Sequence, residues 1–260
     1  MPPTVKAAAI AAVNRLAKSG IHIARTEPRT KAQGQLVTDA DLAKLDADLE
    51  GIFRNGKAFG TVWPSATSVR KYLSNERVNF YYKIIGAAAD AGVKLSGKVL
   101  DIGTCSGYLL RIAQDRYGSS EVIGTDYYQE CVDLSLALAP GSRVFKASIA
   151  DLQDSDERYD AIFCTEVLEH IVDTETQIPI MMGLLNPGGA LMVTVPNGRF
   201  DNTSGHTSDD GVSWVGHVNF WSPQSWQFYI DRVAAPWRHT IGSTGVHYED
   251  DALYAVIFKD

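Results

Sequence analysis

The chain has 260 residues and a formal net charge of −7, enough length for one large core with an extension. The acidic balance leaves no overall electrostatic footprint for nucleic acid, and no apolar run reaches the length that spans a membrane. The three cysteines, Cys105, Cys131 and Cys164, are odd in number and lack zinc-site spacing, which reads as reduced thiols in a cytoplasmic protein.

Residues 6–18 carry Ile10, Val13 and Leu16 at helical spacing, and Gly20 ends them. This Ala-rich start lacks the basic region and cleavage site of a signal peptide, so none is expected. Thr38 suits the N-cap of a helix to about residue 53, with Leu42, Leu45 and Leu49 on one face. Residues 56–73 mix glycine, proline and aromatics. Phe59, Trp63 and Tyr72 there either lid a cleft or pack on the surface. Residues 75–91 form a helix around Val78, Tyr81, Ile84 and Ile85.

Residues 98–107, KVLDIGTCSG, read as a buried strand followed by a sharp turn between Gly103 and Gly107 into a helix. Asp101 stands near the strand's carboxyl end, where open α/β sheets bind ligands. Strand and helix then alternate as in a parallel doubly wound sheet. Strands fall at 98–102, 121–125, 143–147, 161–165 and 190–195. Helices cover 107–116, the stretch to 138, the stretch after 165, and 223–233. A nicotinamide dinucleotide site fits poorly. The loop is G-x-x-x-G rather than G-x-G-x-x-G, and Asp101 would repel a pyrophosphate.

The stretch resembles the first motif of the class I S-adenosylmethionine (SAM)-dependent methyltransferases, an apolar strand followed by D-x-G-x-G-x-G. Cys105 replaces the usual middle glycine. Its Cβ would be tolerated at a negative φ. The resemblance runs from residue 98 to the C-terminus. It implies a Rossmann-like doubly wound sheet of seven strands, mostly parallel, closed by an antiparallel pair at 238–248 and 252–258. Residues 1–92 would be an N-terminal helical extension and lid, and residues 93–260 the methyltransferase domain. SAM is the implied cofactor, held by Asp101, Gly103, Cys105 and Gly107. Asp126 would take the ribose hydroxyls, and Tyr127 would pack against adenine. As a residue alone, Asp126 is also a sound helix N-cap. After the third strand the family places an acid for the adenine amino group. Ser148 and Ile149 occupy that place here, with Asp151 as the alternative.

Residues 163–171, FCTEVLEHI, closely resemble the E-V-L-E-H motif of ubiquinone-pathway O-methyltransferases. Cys164, Thr165 and Glu166 would line the cofactor. Glu166, Glu169 and His170 lie at i, i+3 and i+4, so one helical turn would present them together. Acids at a helix start are favourable without any further role, which leaves His170 unexplained. The loop 197–220 holds His206, Asp209, Asp210, Trp214 and His217 and reads as a substrate lid. The resemblance implies O-methylation of a small polar acceptor, a saccharide or secondary metabolite, with His170, Glu169 and His217 as catalytic residues. Two readings of that cluster stand. Glu166, Glu169, His170 and His217 hold Mg²⁺, Mn²⁺, Fe²⁺ or Zn²⁺, or His170 is a general base without metal. An RNA-terminal 2′-O-methyltransferase, which shares a Glu-x-x-Glu-His motif, and a non-catalytic SAM-binding module are the alternatives. No membrane partner is expected, and the oligomeric state is left open.

Overall fold

The structure, a computed structural model, describes residues 36–200, 206–207 and 214–260. The helix expected over 6–18 lies outside the described residues, as do Asp209 and Asp210. Five parallel strands, β1 (Lys98–Ile102), β2 (Glu121–Asp126), β3 (Arg143–Lys146), β4 (Tyr159–Thr165) and β5 (Leu185–Pro196), join β6 (Arg238–Thr244) and β7 (Ala252–Phe258). They form one sheet in the order β3-β2-β1-β4-β5-β7-β6, with β7 antiparallel to both of its neighbours. This is the expected seven-stranded Rossmann-like sheet. The chain moves outward from β1 in both directions, so the switch point lies between β1 and β4.

The strands are buried on both faces, and alternate side chains fill two separate cores. Val99, Ala161, Phe163, Met192 and Val256 face one core, while Leu100, Ile162, Cys164, Val193 and Ile257 face the other. The first core is closed by α1 (Asp39–Phe53), α2 (Ala66–Tyr72), α3 (Asn75–Asp90), α4 (Tyr108–Tyr117) and α5 (Gln129–Leu138). The second is closed by α6 (Gln177–Gly183) and α7 (Pro223–Val233). Leu42, Leu45 and Leu49 are buried along α1, which Thr38 and Asp41 open with a reciprocal capping box. The described residues before β1 thus share a core with the sheet.

Three stretches differ from the sequence reading. Residues 66–72 are helical, started by a second capping box between Ser65 and Ser68. β5 begins at Leu185, five residues early, because Pro187, Gly188 and Gly189 mask the strand where its register against β4 shifts. After β4 the chain makes a 3₁₀ turn, Leu168–His170, and α6 starts only at Gln177. The small ribbon pairing His206–Thr207 with Trp214–Val215 is the only described part of the loop's middle.

Gly107 opens α4 at φ 74, and a Cβ there would lie 2.8 Å from the Ser135 Cα on α5. Gly107→Ala should cost about 1–2 kcal/mol for the left-handed backbone plus about 1–3 kcal/mol for the displaced helix. A lower urea midpoint at unchanged slope would measure it.

Candidate active site

The glycine loop is tied to the end of β2. The N–H groups of Gly103 and Thr104 donate to the Thr125 carbonyl at 2.8 and 3.0 Å. Cys105 N donates to Asp126 Oδ2 at 2.9 Å, and Tyr128 N donates to Asp126 Oδ1 at 2.9 Å. Ser135 Oγ donates to the Cys105 carbonyl at 3.1 Å. A Cβ on Gly103 would collide with Val167, which follows β4. Cys105 does not meet the condition of a negative φ under which its Cβ would be tolerated. It sits at φ 52, so it keeps the glycine's left-handed conformation without being glycine, at a strain of about 1–2 kcal/mol.

Asp126 does not cap α5, whose N-cap position is Tyr128. It instead closes an Asx turn onto Tyr128 N and a bond to the loop. Each carboxylate oxygen keeps a lone pair for a ligand hydroxyl. Burial raises its pKa against the hydrogen bonds from Tyr128 and Cys105. Burial also pushes Asp101 up to about 7; the side chain of Thr104 pulls the other way, and the charge of Asp126 adds to the rise. Tyr127 is 65% exposed, with the Lys146 Nζ 5.8 Å from its ring centroid. Ile149 is buried. The Ser148 hydroxyl donates to Asp151 Oδ2 at 2.7 Å, and these Ser148 bonds hold the Asp151 carboxyl below its usual range. The two residues expected as alternatives are one hydrogen-bonded unit. Ser106 Oγ and Thr165 Oγ1, in the loop and at the end of β4, are buried without a partner among the described residues. Together with the glycine backbone and two buried carboxylates, they leave polar capacity that suits a polar cofactor.

Beyond β4 the backbone turns left-handed at Glu166, φ 55. Glu166 N donates to the Thr194 carbonyl at 3.0 Å, and the Thr194 hydroxyl donates to Glu166 Oε1 at 3.1 Å. That turn prevents an α-helical start, so Glu166, Glu169 and His170 do not share one helical turn. The following 3₁₀ turn sends Glu169 inward, where it is 1% exposed. His170 Nε2 lies 3.7 Å and His217 Nε2 4.0 Å from Glu169 Oε1. The two imidazole centroids are 4.7 Å apart. Glu169, His170 and His217 can place one ligand atom each within 4.8 Å of the others; Glu166 is not in the cluster. His170 Nδ1 is 3.2 Å from the Gly216 carbonyl. A proton on Nδ1 leaves the Nε2 lone pair for a metal or a substrate proton.

Two residues at the site were not singled out in the sequence. Asn219 Nδ2 donates to the carbonyls of Leu168 at 3.2 Å and Ile171 at 2.6 Å. The N–H groups of Val218 and Asn219 donate to the Glu169 carbonyl at 2.7 and 3.1 Å. This clamp holds His217 against the 3₁₀ turn, and its only signal was an asparagine two residues after a histidine. Arg77, in the first turn of α3, has its guanidinium 5.3 Å from the Phe80 ring centroid and 5.7 Å from that of Tyr72. Burial works against its charge, but Tyr81, Tyr72, Glu166 and Cys105 around it hold its pKa above the ordinary value. Burial likewise pushes the Tyr81 phenol up to about 12. A separate cavity of about 570 Å³ between α7 and β6, lined by Arg199, Trp226 and His239 among others, contains none of the cofactor, catalytic or metal candidates.

Residues 74–232 match the family described as "Methyltransferase domain". The chain belongs to that family. The chain is 28% identical over 180 residues to the ubiquinone biosynthesis O-methyltransferase of Alkalilimnicola ehrlichii, covering 66% of this chain and 65% of that one. It is 35% identical over 124 residues to the mitochondrial ubiquinone biosynthesis O-methyltransferase of Bos taurus, covering 43% and 32%. It is 27% identical over 108 residues to the trans-aconitate 2-methyltransferase of Variovorax paradoxus, covering 42% of each. The chain thus spans 32 to 65% of the length of these curated relatives. Its fold matches the plantazolicin methyltransferase BpumL in complex with SAH, with a TM-score of 0.57 at 12% identity over 85% of this chain and 97% of that one. The DhpI–SAH complex matches with a TM-score of 0.55 at 18% identity over 84% and 95%. No helix among the chain's described residues is long and apolar enough to cross a membrane.

Asn219→Ala would strip the Ile171 carbonyl of its donor, leave the Leu168 carbonyl with only the Ile171 N–H, and release His217. A loss of about 1–3 kcal/mol is expected, with faster hydrogen exchange at the backbone N–H groups of residues 170, 171, 218 and 219.

Proposed function

We propose that the chain is a SAM-dependent O-methyltransferase of a small polar acceptor, with SAM lying across the glycine loop. The observation that carries this reading is the convergence of Glu169, His170 and His217 just past β4, the strand beside β1 and its Asp101. SAM supplies a methyl group bound to a cationic sulfur. Gly103, Cys105 and Gly107 let the backbone come close to it. Asp126 accepts from the ribose hydroxyls, and Tyr127, Ser148 and Ile149 surround the adenine. Arg77 meets the cofactor carboxylate as a charge-assisted donor. Asp101 faces the amino-acid end, and Thr165 and Glu166 bound the cleft near the methyl. Holding acceptor oxygen, methyl and sulfur in line supplies most of the rate.

One buried carboxylate and two imidazoles form a donor set that fits a divalent ion such as Mn²⁺, Fe²⁺ or Zn²⁺, and less closely Mg²⁺. Glu169, His170 and His217 would hold it, with Glu166 outside the set. The ion would supply positive charge that acidifies an acceptor hydroxyl. Without it, His170 Nε2 takes the hydroxyl proton as general base. The names of the ubiquinone-pathway relatives support oxygen as the methylated atom. An RNA terminus would suit the same cluster, but the net charge of −7 argues against it.

The purified protein should convert SAM to its demethylated product with a hydroxyl-bearing acceptor drawn from a panel of saccharides and phenols. Exhaustive chelation should abolish turnover, and one of the named ions should restore it. Full activity in metal-free protein, with His170→Ala inactive, would leave the general base and remove the metal. No turnover with any acceptor, despite SAM binding, would favour a binding module.

The raised pKa of Asp101 sets a pH dependence. The free carboxyl is neutral below about 7 and ionised above it, and cationic SAM favours the ionised form. SAM affinity should therefore rise from pH 6 to 8, by at most about tenfold per unit. Calorimetry would measure this, and Asp101→Asn should flatten the profile.

A further inference from the structure

The cavity of about 570 Å³ between α7 and β6 lies where the chain leaves β5. Small-molecule sites occupy about 300–1,000 Å³. Its mouth is tied in place by Asn197. The Asn197 N–H donates to the Asp251 carbonyl at 2.7 Å and its side chain to the Asp250 carbonyl at 2.8 Å, while its Oδ1 accepts from Arg199 N at 3.2 Å. The two loops that bring Arg199 and Asp250 into the lining are thus fastened to each other. Toward the other end of β6, His239 Nδ1 is 3.0 Å from the Trp237 carbonyl and His239 Nε2 is 3.0 Å from Asp231 Oδ1. Asp231 is on α7 and His239 on β6, so this pair sets the width between helix and strand.

The lining is mixed in charge. Arg199 brings a guanidinium, and Asp231 and Asp250 bring carboxylates, one of which His239 already engages. An organic anion would meet the carboxylates, and a cation would meet the guanidinium. A neutral ligand rich in hydroxyls avoids both conflicts, because each hydroxyl can donate to one group and accept from another. Gln227 and Ser243 add groups that also do either. Phe200, Ile241 and Leu253 complete the wall with apolar surface, which suits the C–H face of a sugar ring. The indole N–H of Trp226, in the same wall, is buried with no acceptor among the described residues, an unmet donor of the kind a polar ligand relieves.

We propose that this cavity is a saccharide-binding site, separate from the methyl-transfer residues. Its binding requires neither SAM nor the cluster of Glu169, His170 and His217. Arg199 forks across neighbouring hydroxyl oxygens, Asp231 and Gln227 accept from hydroxyls on the α7 side, and a ring face lies on Phe200 and Ile241. The site is nonetheless joined to the loop that carries His217. Gly198 N donates to the Trp221 carbonyl at 2.8 Å, and the Trp221 ring centroid is 5.5 Å from that of Trp226. A sugar in the cavity therefore bears on the end of that loop, as a remote unit of the acceptor or as a separate molecule.

Saturation-transfer difference NMR on the full chain without SAM tests this. The probes are the methyl glycosides of glucose, galactose, mannose, rhamnose and N-acetylglucosamine, with maltose and cellobiose, at millimolar concentration. At least one should receive saturation. Titrating it should shift the Trp226 indole N–H, the Gln227 carboxamide and the amides of Gly198 and Phe200. Ser243→Trp, which fills the cavity from an exposed strand position, should abolish binding. Arg199→Ala should weaken it roughly tenfold, the scale of one charge-assisted hydrogen bond. Turnover separates the two sources. A disaccharide acceptor whose KM rises about tenfold in Ser243→Trp has its remote unit in the cavity, and an unchanged KM marks a separate sugar; either keeps the proposal. Binding is read without turnover, so loss of the methyl-transfer reading leaves it standing. No saturation of any probe would overturn the proposal, and so would saturation that survives both variants or shifts confined to residues around His170 and His217. Tighter binding of benzoate than of every sugar would overturn it as well.

Discussion

The carboxylate of Asp126 is the joint on which the site depends. One oxygen receives the N–H of Cys105 and the other that of Tyr128. A single side chain thus fixes both the glycine loop after β1 and the entry to α5 after β2. A carboxylate this buried is tolerable only because those donors meet it. The same bonds restrain Cys105 in a backbone region that only glycine occupies freely. Residue 126 is therefore a structural post as well as the proposed ribose ligand.

The next dependence is between neighbouring strand ends. β1 and β4 lie side by side, with Ile102 opposite Cys164. The space denied to a Cβ at Gly103 is taken by Val167. The glycine loop and the turn carrying Glu169 and His170 therefore pack directly on each other, with no intervening layer. Asn219 then pins the far end of the post-β5 loop to the same turn.

Hydrophobic patterns made the five parallel strands and the order of strands and helices legible, Thr38 marked the start of α1, and the resemblance supplied the closing antiparallel pair. The start of β5 was not legible, because Pro187 and two glycines carry no pattern. The i, i+3, i+4 spacing of Glu166, Glu169 and His170 fits an α-helix, but the left-handed turn at Glu166 is a backbone property that side-chain spacing does not report. The same applies to Cys105, whose conformation is imposed by Asp126 from 21 residues away. Arg77 belongs to no motif, and only the packing of α3 against α4, through Tyr81 and Tyr108, turns it inward. Asn219 acts through main-chain carbonyls, which no side-chain motif marks.

In the proposed reading the two recognition tasks fall on different lengths of chain. Arg77, Asp101, Asp126 and Tyr127 precede β4, while Glu169, His170 and His217 follow it, and Val167 and Asn219 are the mechanical links between them. A chain built this way is a cassette. In that reading the loop between β5 and α7 could be exchanged for another that offers an asparagine to the 3₁₀ turn, and the nucleoside-binding half need not change. New acceptors can then be acquired by replacing a loop while the methyl-donor half of the molecule is inherited intact.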